Sequence, residues 1–291
     1  MKVYLDHAAT TPCDKRVVEE MLPYFSEHFG NADSQHFYGR ETAKAVADAR
    51  AFVASAINCA PNELYFTGSG TEADNWALKG VALARKSRGN HIIISAIEHH
   101  AILNSAQWLE NNGFRVTRLP VDSTGLVHAE DLEKAIDDET TLVSVMYVNN
   151  EVGTVQPIKQ LAEIAHKHGA LFHSDCVQAM PYIKIDVKEL GLDLLSMSGH
   201  KFYGPKGVGA LYIRNGVRLD KLICGGGQER SQRGGTTNTP AIVGMAKALQ
   251  LALEEMEQNN KHMASLRDHF VERVLAEIPY VRFNGNTQHR V

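Results

Sequence analysis

Between residues 60 and 213 the chain alternates short apolar, β-branched runs with amphipathic stretches of helical period, and few folds accommodate that rhythm. Strands are expected over 63–67, 91–95, 114–119, 141–148, 170–174, 192–197 and 209–213, with helices over 71–86, 101–112, 129–137 and 158–168. Strands that alternate with helices build βαβ units, so the expected class is α/β, a largely parallel sheet covered by helices. In such sheets ligands bind beyond the carboxyl ends of the strands, which makes strand-end residues the first candidates for a site. After Gly235 the texture changes: 241–257 and 261–277 read as two long helices, and 280–283 carries a weak strand signal. A second domain is expected to begin there and to stop early.

Composition narrows the function. The net charge of −4 contains no block of like charges, and no apolar run approaches a membrane span, so neither a nucleic-acid nor a membrane partner is expected. The N-terminus shows no signal-peptide core, and Cys13, Cys59, Cys176 and Cys224 are scattered without a C-x-x-C pair. These features argue against a disulfide framework or a zinc site and make the cytoplasm the expected location.

Residues 63–67 lead into Gly68-Ser69-Gly70-Thr71-Glu72-Ala73, where a helix starts. Strand, glycine turn and helix N-terminus together present free N–H groups to an anion. Thr71 and Asp74 have the spacing of a capping box, and a well-capped tight turn explains the segment equally well. The same residues match a dinucleotide fingerprint, G-x-G-x-x-A. That reading requires an acidic residue about 20 positions on, where Lys86-Ser87-Arg88-Gly89 stands instead.

Ser198-Gly199-His200-Lys201 follows an apolar strand. A lysine there is costly to bury without a partner, and an aldehyde is a suitable one, because a desolvated amine has a lowered pKa and condenses with it. Asp175 follows the strand over 170–174, where a carboxylate keeps a pyridine nitrogen protonated. Either residue alone is more simply a surface lysine or a strand-end cap; the pair on one sheet edge is harder to dismiss. His99 and His100 are sequence neighbours and cannot face one metal from a helix, so no metal is expected there.

These segments resemble the cysteine desulfurases of the NifS/IscS type, which are fold-type I pyridoxal-phosphate enzymes. The matching motifs are Tyr4-Leu5-Asp6-His7-Ala8-Ala9-Thr10-Thr11-Pro12, Phe29-Gly30-Asn31, Phe66 to Asn75, Glu98-His99-His100-Ala101, Asn149-Asn150-Glu151-Val152-Gly153, Gln156-Pro157, the Asp175 and Lys201 segments, Gly225 to Arg230, and Arg233 to Thr236. The resemblance implies a three-layer α/β/α large domain over 13–258, an N-terminal arm over 1–12, and the start of a truncated α+β small domain over 259–291. It implies pyridoxal 5′-phosphate as cofactor and L-cysteine as substrate, with sulfur passed as a persulfide to an iron–sulfur scaffold or another acceptor. By position, Lys201 matches the Schiff-base lysine and proton shuttle, Asp175 the partner of the ring nitrogen, and Gln178 that of the ring oxygen. His99 matches the imidazole stacked on the ring, and Asn150 an asparagine beside cofactor and substrate. Gly70, Thr71, Ser198 and His200 match phosphate ligands. Thr236 matches a phosphate contact delivered from a second subunit, so a homodimer with shared sites is implied.

Three departures stand out. Gly234 replaces a serine of the family pattern and Ala32 a proline. The family's nucleophilic cysteine and its arginine for the substrate carboxylate lie beyond Val291, so the expectation for these residues alone is a cofactor site without sulfur transfer. Cys176, next to Asp175, is expected to be core packing. A selenocysteine lyase or other lyase of this fold type, and a cofactor-binding but inactive partner subunit, are the alternative readings.

Overall fold

A computed structural model describes all residues, Met1–Val291. Seven strands form one sheet: β1 (Leu64–Thr67), β2 (His91–Ser95), β3 (Arg115–Leu119), β4 (Thr140–Ser144), β5 (Leu171–Asp175), β6 (Leu194–Ser198) and β7 (Gly209–Ile213). Their order is β1-β7-β6-β5-β4-β2-β3. Strands β3, β2, β4, β5 and β6 are mutually parallel, and β7 alone runs against its neighbours β1 and β6. Each expected strand is present within a few residues, except that the 141–148 run stops at Ser144.

The helices are α1 (Lys15–Met21), α2 (Pro23–Ser26), α3 (Phe37–Ala56), α4 (Gly70–Ala84), α5 (His100–Asn111), α6 (Ala129–Ala135), α7 (Ile158–Lys167), α8 (Val187–Leu190), the short turn α9 (Gln228–Ser231) and α10 (Thr239–Glu277). The alternation of side chains along each strand sorts them into two layers. Ile92, Ile94, Leu142, Leu171 and Leu194 pack with Trp76, Ala77 and Val81 of α4 and Ile102 and Leu109 of α5. Ile93, Val143, Phe172 and Leu195 point the other way, onto Val53 of α3, Leu161 and Ala165 of α7, and Met245 and Leu249 of α10. Each fully buried aliphatic side chain contributes roughly 2 kcal/mol. The result is the expected α/β/α sandwich, with the helical layers fixing the edge where β1, β4, β5 and β6 end.

Several local expectations are corrected. The stretches 241–257 and 261–277 form one helix, α10, because Gln258-Asn259-Asn260 lacks a glycine or proline to break it. Residues 258 and 259 lie inside this helix, which leaves the core there and exposes Leu266, Phe270 and Leu275. Residues 280–283 form no strand. Instead the last residues pair with the loop after β4, through Val155 N–H to His289 O (3.0 Å) and Val291 N–H to Gly153 O (3.1 Å). The cap of α4 is Ser69, whose hydroxyl accepts from Glu72 N–H, and not Thr71.

Candidate cofactor site

A cleft of about 250 Å³ opens at the carboxyl edge of the sheet. Nine of the ten expected site residues line it: Gly70 and Thr71 after β1, His99 after β2, Asn150 beyond β4, Asp175 and Gln178 at β5, and Ser198, His200 and Lys201 at β6. Thr236 does not. It is exposed, in a separate groove with Thr67, Gly68 and Gly207. Sequence reasoning missed Ala9, Ser69, Asp74, Met146 and Val177, which complete the lining.

At one end, Ser69 and Gly70 open α4 towards Ser198. A Cβ on Gly70 would stand 2.8 Å from Val177 Cγ2 and 3.2 Å from Ser198 Cβ, so the space above the helix N-terminus exists only because the residue is glycine. The unpaired N–H groups of the first turn and the Thr71 and Ser198 hydroxyls form a cradle of donors for an oxyanion.

Lys201 occupies a 3-10 turn (Gly199–Lys201) directly after β6. Its Nζ donates to the carbonyls of Ala8 and Ala9, the latter at 3.0 Å. The N-terminal arm is clipped to the same turn: Thr11 N–H and Oγ1–H donate to His200 O (3.2 and 2.9 Å), and Tyr203 N–H donates to Thr11 Oγ1 (2.9 Å). Burial lowers the Lys201 pKa from that of an ordinary lysine, with Asp175 and Asp6 opposing. Burial and the neighbouring lysines push His200 down to about 4, so it is neutral, paired through Nδ1 with Thr10 Oγ1 at 3.0 Å.

At the other end, Asp175 is 4% exposed and accepts from Val177 N–H at 2.9 Å. Asp74 of α4 is 1% exposed and its Oδ1 has no hydrogen-bond partner. Burial raises the pKa of both carboxyls, Asp74 the further, because the Val177 N–H, His99 and Lys201 favour the charged form only at Asp175. Gln178 is also buried with an unpartnered Oε1. His99 caps α5 by accepting from Ala101 N–H at 3.1 Å, which fixes its ring over the cleft. None of the four cysteines lines the cleft; Cys176 is fully buried in the core and its thiol is pushed up by desolvation.

The departure at Gly234 has a packing cause. A Cβ there would lie 2.5 Å from Gly225 Cα and 2.7 Å from Gly225 N, so a serine would drive the two loop segments apart. Ala32 packs against the core beside the N-terminal helices, and nothing in the structure explains why alanine stands there.

The open α/β sheet thus carries an oxyanion cradle, a desolvated lysine and a buried carboxylate together on one edge. The chain belongs to the class-V aminotransferase family, whose profile matches residues 3–291. Within it, the cysteine desulfurase IscS of Clostridium botulinum is 54% identical over 284 residues, 98% of this chain and 72% of that protein. Among solved structures, a NifS-like protein superposes with a TM-score of 0.93 at 45% identity, over 95% of this chain and 76% of the other. A structure described as SspA in complex with cysteine gives 0.83 at 43% identity, over 86% and 72%. Class-V aminotransferases and cysteine desulfurases are pyridoxal-phosphate enzymes.

Proposed function

We propose that the cleft holds pyridoxal 5′-phosphate and that the chain acts on L-cysteine as a cysteine desulfurase, supplying sulfur to an acceptor such as an iron–sulfur scaffold. The observation that carries the reading is the common location of Lys201, Asp175 and the Gly70–Ser198 cradle in one cleft. The residues fit the cofactor on independent grounds. The glycine cradle would be filled by a Cβ, and Gln178, whose Oε1 has no partner, lines the same cleft. When bound, pyridoxal phosphate supplies an electron sink for the substrate α-carbon.

Each residue then has a task. Gly70, Thr71, Ser198 and His200 hold the phosphate oxygens, with α4 contributing its N-terminal dipole. Asp175 would hold the ring nitrogen and Gln178 the ring oxygen, and His99 would border the ring. Lys201, lowered in pKa by burial, would hold the cofactor's aldehyde, and its amine is the group placed to move a proton at the substrate α-carbon. Asn150 borders the substrate. No cysteine lines the cleft, so the sulfur-accepting thiol has to come from outside the residues gathered here. Thr236 is exposed and outside its own cleft, which supports a homodimer in which it serves the cleft of the other copy. We further infer that residues 259–291 open a second domain on the arm side of the cleft.

The test is release of alanine from L-cysteine by the chain loaded with pyridoxal phosphate, with an added thiol such as dithiothreitol to take the sulfur, compared with Lys201→Ala. Lys201-dependent turnover of cysteine supports the reading; binding without any cysteine-dependent change at the cofactor contradicts it.

A further inference from the structure

Two buried acids, Asp74 and Asp175, line the cleft, and a third, Glu98, is buried next to its lining residues His99 and Met146. Asp74, Asp175 and Glu98 are all at most 5% exposed, and no arginine or lysine forms an ion pair with any of them. Three ionised carboxylates so placed would repel one another strongly in a desolvated site. The environments differ. Asp175 takes a backbone N–H from Val177. Glu98 Oε1 accepts from Ser95 Oγ (2.6 Å) and Met146 N–H (2.7 Å), and burial raises Glu98 to about 8. Asp74 has the least support. The nearest base is His173, whose Nε2 is 3.8 Å from Asp74 Oδ1. That ring is held between Ser144 (2.8 Å) and Ser196 (3.0 Å), and burial lowers it to about 3, so it brings no positive charge. The remaining groups around the pair are Ser196, which is neutral, and His99 and Lys201, which act on Asp175. Asp74 and Asp175 are within side-chain hydrogen-bonding reach of each other.

We infer that Asp74 is a positioning residue for the ring-nitrogen carboxylate: it stays protonated, gives a hydrogen bond to Asp175, and leaves the pair with one negative charge, held by Asp175. This rests on the reading of the cleft as a pyridoxal-phosphate site, but its first consequence concerns the chain without cofactor. The charge has to remain on Asp175, because an ionised Asp175 is what keeps a ring nitrogen protonated. A protonated neighbour stabilises that form in the same way that a backbone donor does.

Two measurements test it. The infrared difference spectrum of the cofactor-free wild type minus Asp74→Asn at pH 8 is expected to contain the C=O stretch of one protonated carboxyl, downshifted in D₂O. Titration with pyridoxal phosphate then separates donor from charge. Asp74→Asn, which keeps a donor of the same shape, is expected within about threefold of the wild-type affinity, and Asp74→Leu at least tenfold weaker, for loss of one charge-assisted bond. Absence of the protonated carboxyl band overturns the inference, as does an Asn variant that binds as poorly as the Leu variant, or a Leu variant that binds like wild type. The infrared arm requires no cofactor, so it decides the protonation of Asp74 even if the wild type takes up no pyridoxal phosphate and the functional reading fails.

Discussion

Glu72 and Arg233 meet through two parallel charge-assisted bonds, Nε to Oε1 at 2.7 Å and Nη2 to Oε2 at 3.0 Å, and the same Oε2 accepts the Gly68 N–H at 2.8 Å. One carboxylate thus ties the glycine turn before α4 to the loop that carries Thr236. Both side chains are largely buried, at 15% and 20% exposure. Arg233→Ala is therefore expected to destabilise the chain by about 2–3 kcal/mol in urea unfolding, because it strands a shielded carboxylate. Arg233→Lys should recover less than half of that, since an ammonium cannot reproduce the forked geometry. An unchanged unfolding midpoint for the alanine variant would show that the pair contributes only surface electrostatics.

Gly209 in β7 supports the cradle from behind. A Cβ there would approach the Ser69 carbonyl carbon to 2.6 Å and Met197 O to 2.7 Å, both backbone atoms that cannot swing away. Gly209→Ala is expected to cost about 1–3 kcal/mol by overpacking and to weaken pyridoxal-phosphate binding at least tenfold as the Ser69 turn is displaced. Calorimetric unfolding and a cofactor titration on the same sample check both effects.

Thr236 gives a test of site sharing. Alone, Thr236→Ala should weaken cofactor binding about tenfold, the loss of one hydrogen bond to an anion. If the residue serves the other copy, a mixed dimer of Lys201→Ala and Thr236→Ala subunits contains one wholly intact site and one doubly damaged site. Tight binding at half occupancy should reappear on mixing. No recovery would place Thr236 in the service of its own chain.

The sheet and the chemistry of its edge were legible because both are written locally. β2 and β7 carry short apolar runs, β5 and β6 open on apolar pairs, and Asp175 and Lys201 stand out as charges at or just after the ends of β5 and β6. Helix α3 went unread because its buried face is built from Gly39, Thr42, Val46, Ala49 and Val53, too small and too mixed to raise the periodic signal. Asp74 was read as part of a cap when it lies on the buried stripe of α4 with Ala73, Trp76 and Ala77. An acid on an apolar helix face was the available signal. The placement of Thr236 outside the cleft depends on how the loop from Gly225 to Asn238 folds back, which no local pattern encodes.

Asp193 tests the electrostatics of the scaffold away from the cleft. Burial alone would raise its pKa, but the His166 ring (2.8 Å), the Phe172 N–H (2.7 Å) and Arg214 (2.7 Å) outweigh that and hold it below the usual carboxylate range. A depressed folded-state pKa stabilises above the unfolded value of 3.8 and is lost as pH falls through the folded value. Asp193→Asn should cost about 3 kcal/mol at pH 7, a difference that narrows below pH 3.8. A difference that does not change with pH would assign the loss to packing.

Desolvation of Lys201 has a pH consequence of its own. Its amine should capture pyridoxal phosphate with a midpoint below the 10.5 of an ordinary lysine. Asp6→Asn, which removes a charge that raises the Lys201 pKa, should move the midpoint slightly lower still. Capture rates measured across pH decide this, and a midpoint at or above 10.5 would mean that the amine is solvated.

The most direct measurement is the visible absorption spectrum of the chain after incubation with pyridoxal phosphate and desalting, recorded before and after addition of L-cysteine, with Lys201→Ala beside it. The account predicts a retained yellow band in the wild type that changes on addition of cysteine, and no retained band in the variant. A wild type that emerges colourless, or a Lys201→Ala variant that is equally yellow, would contradict it.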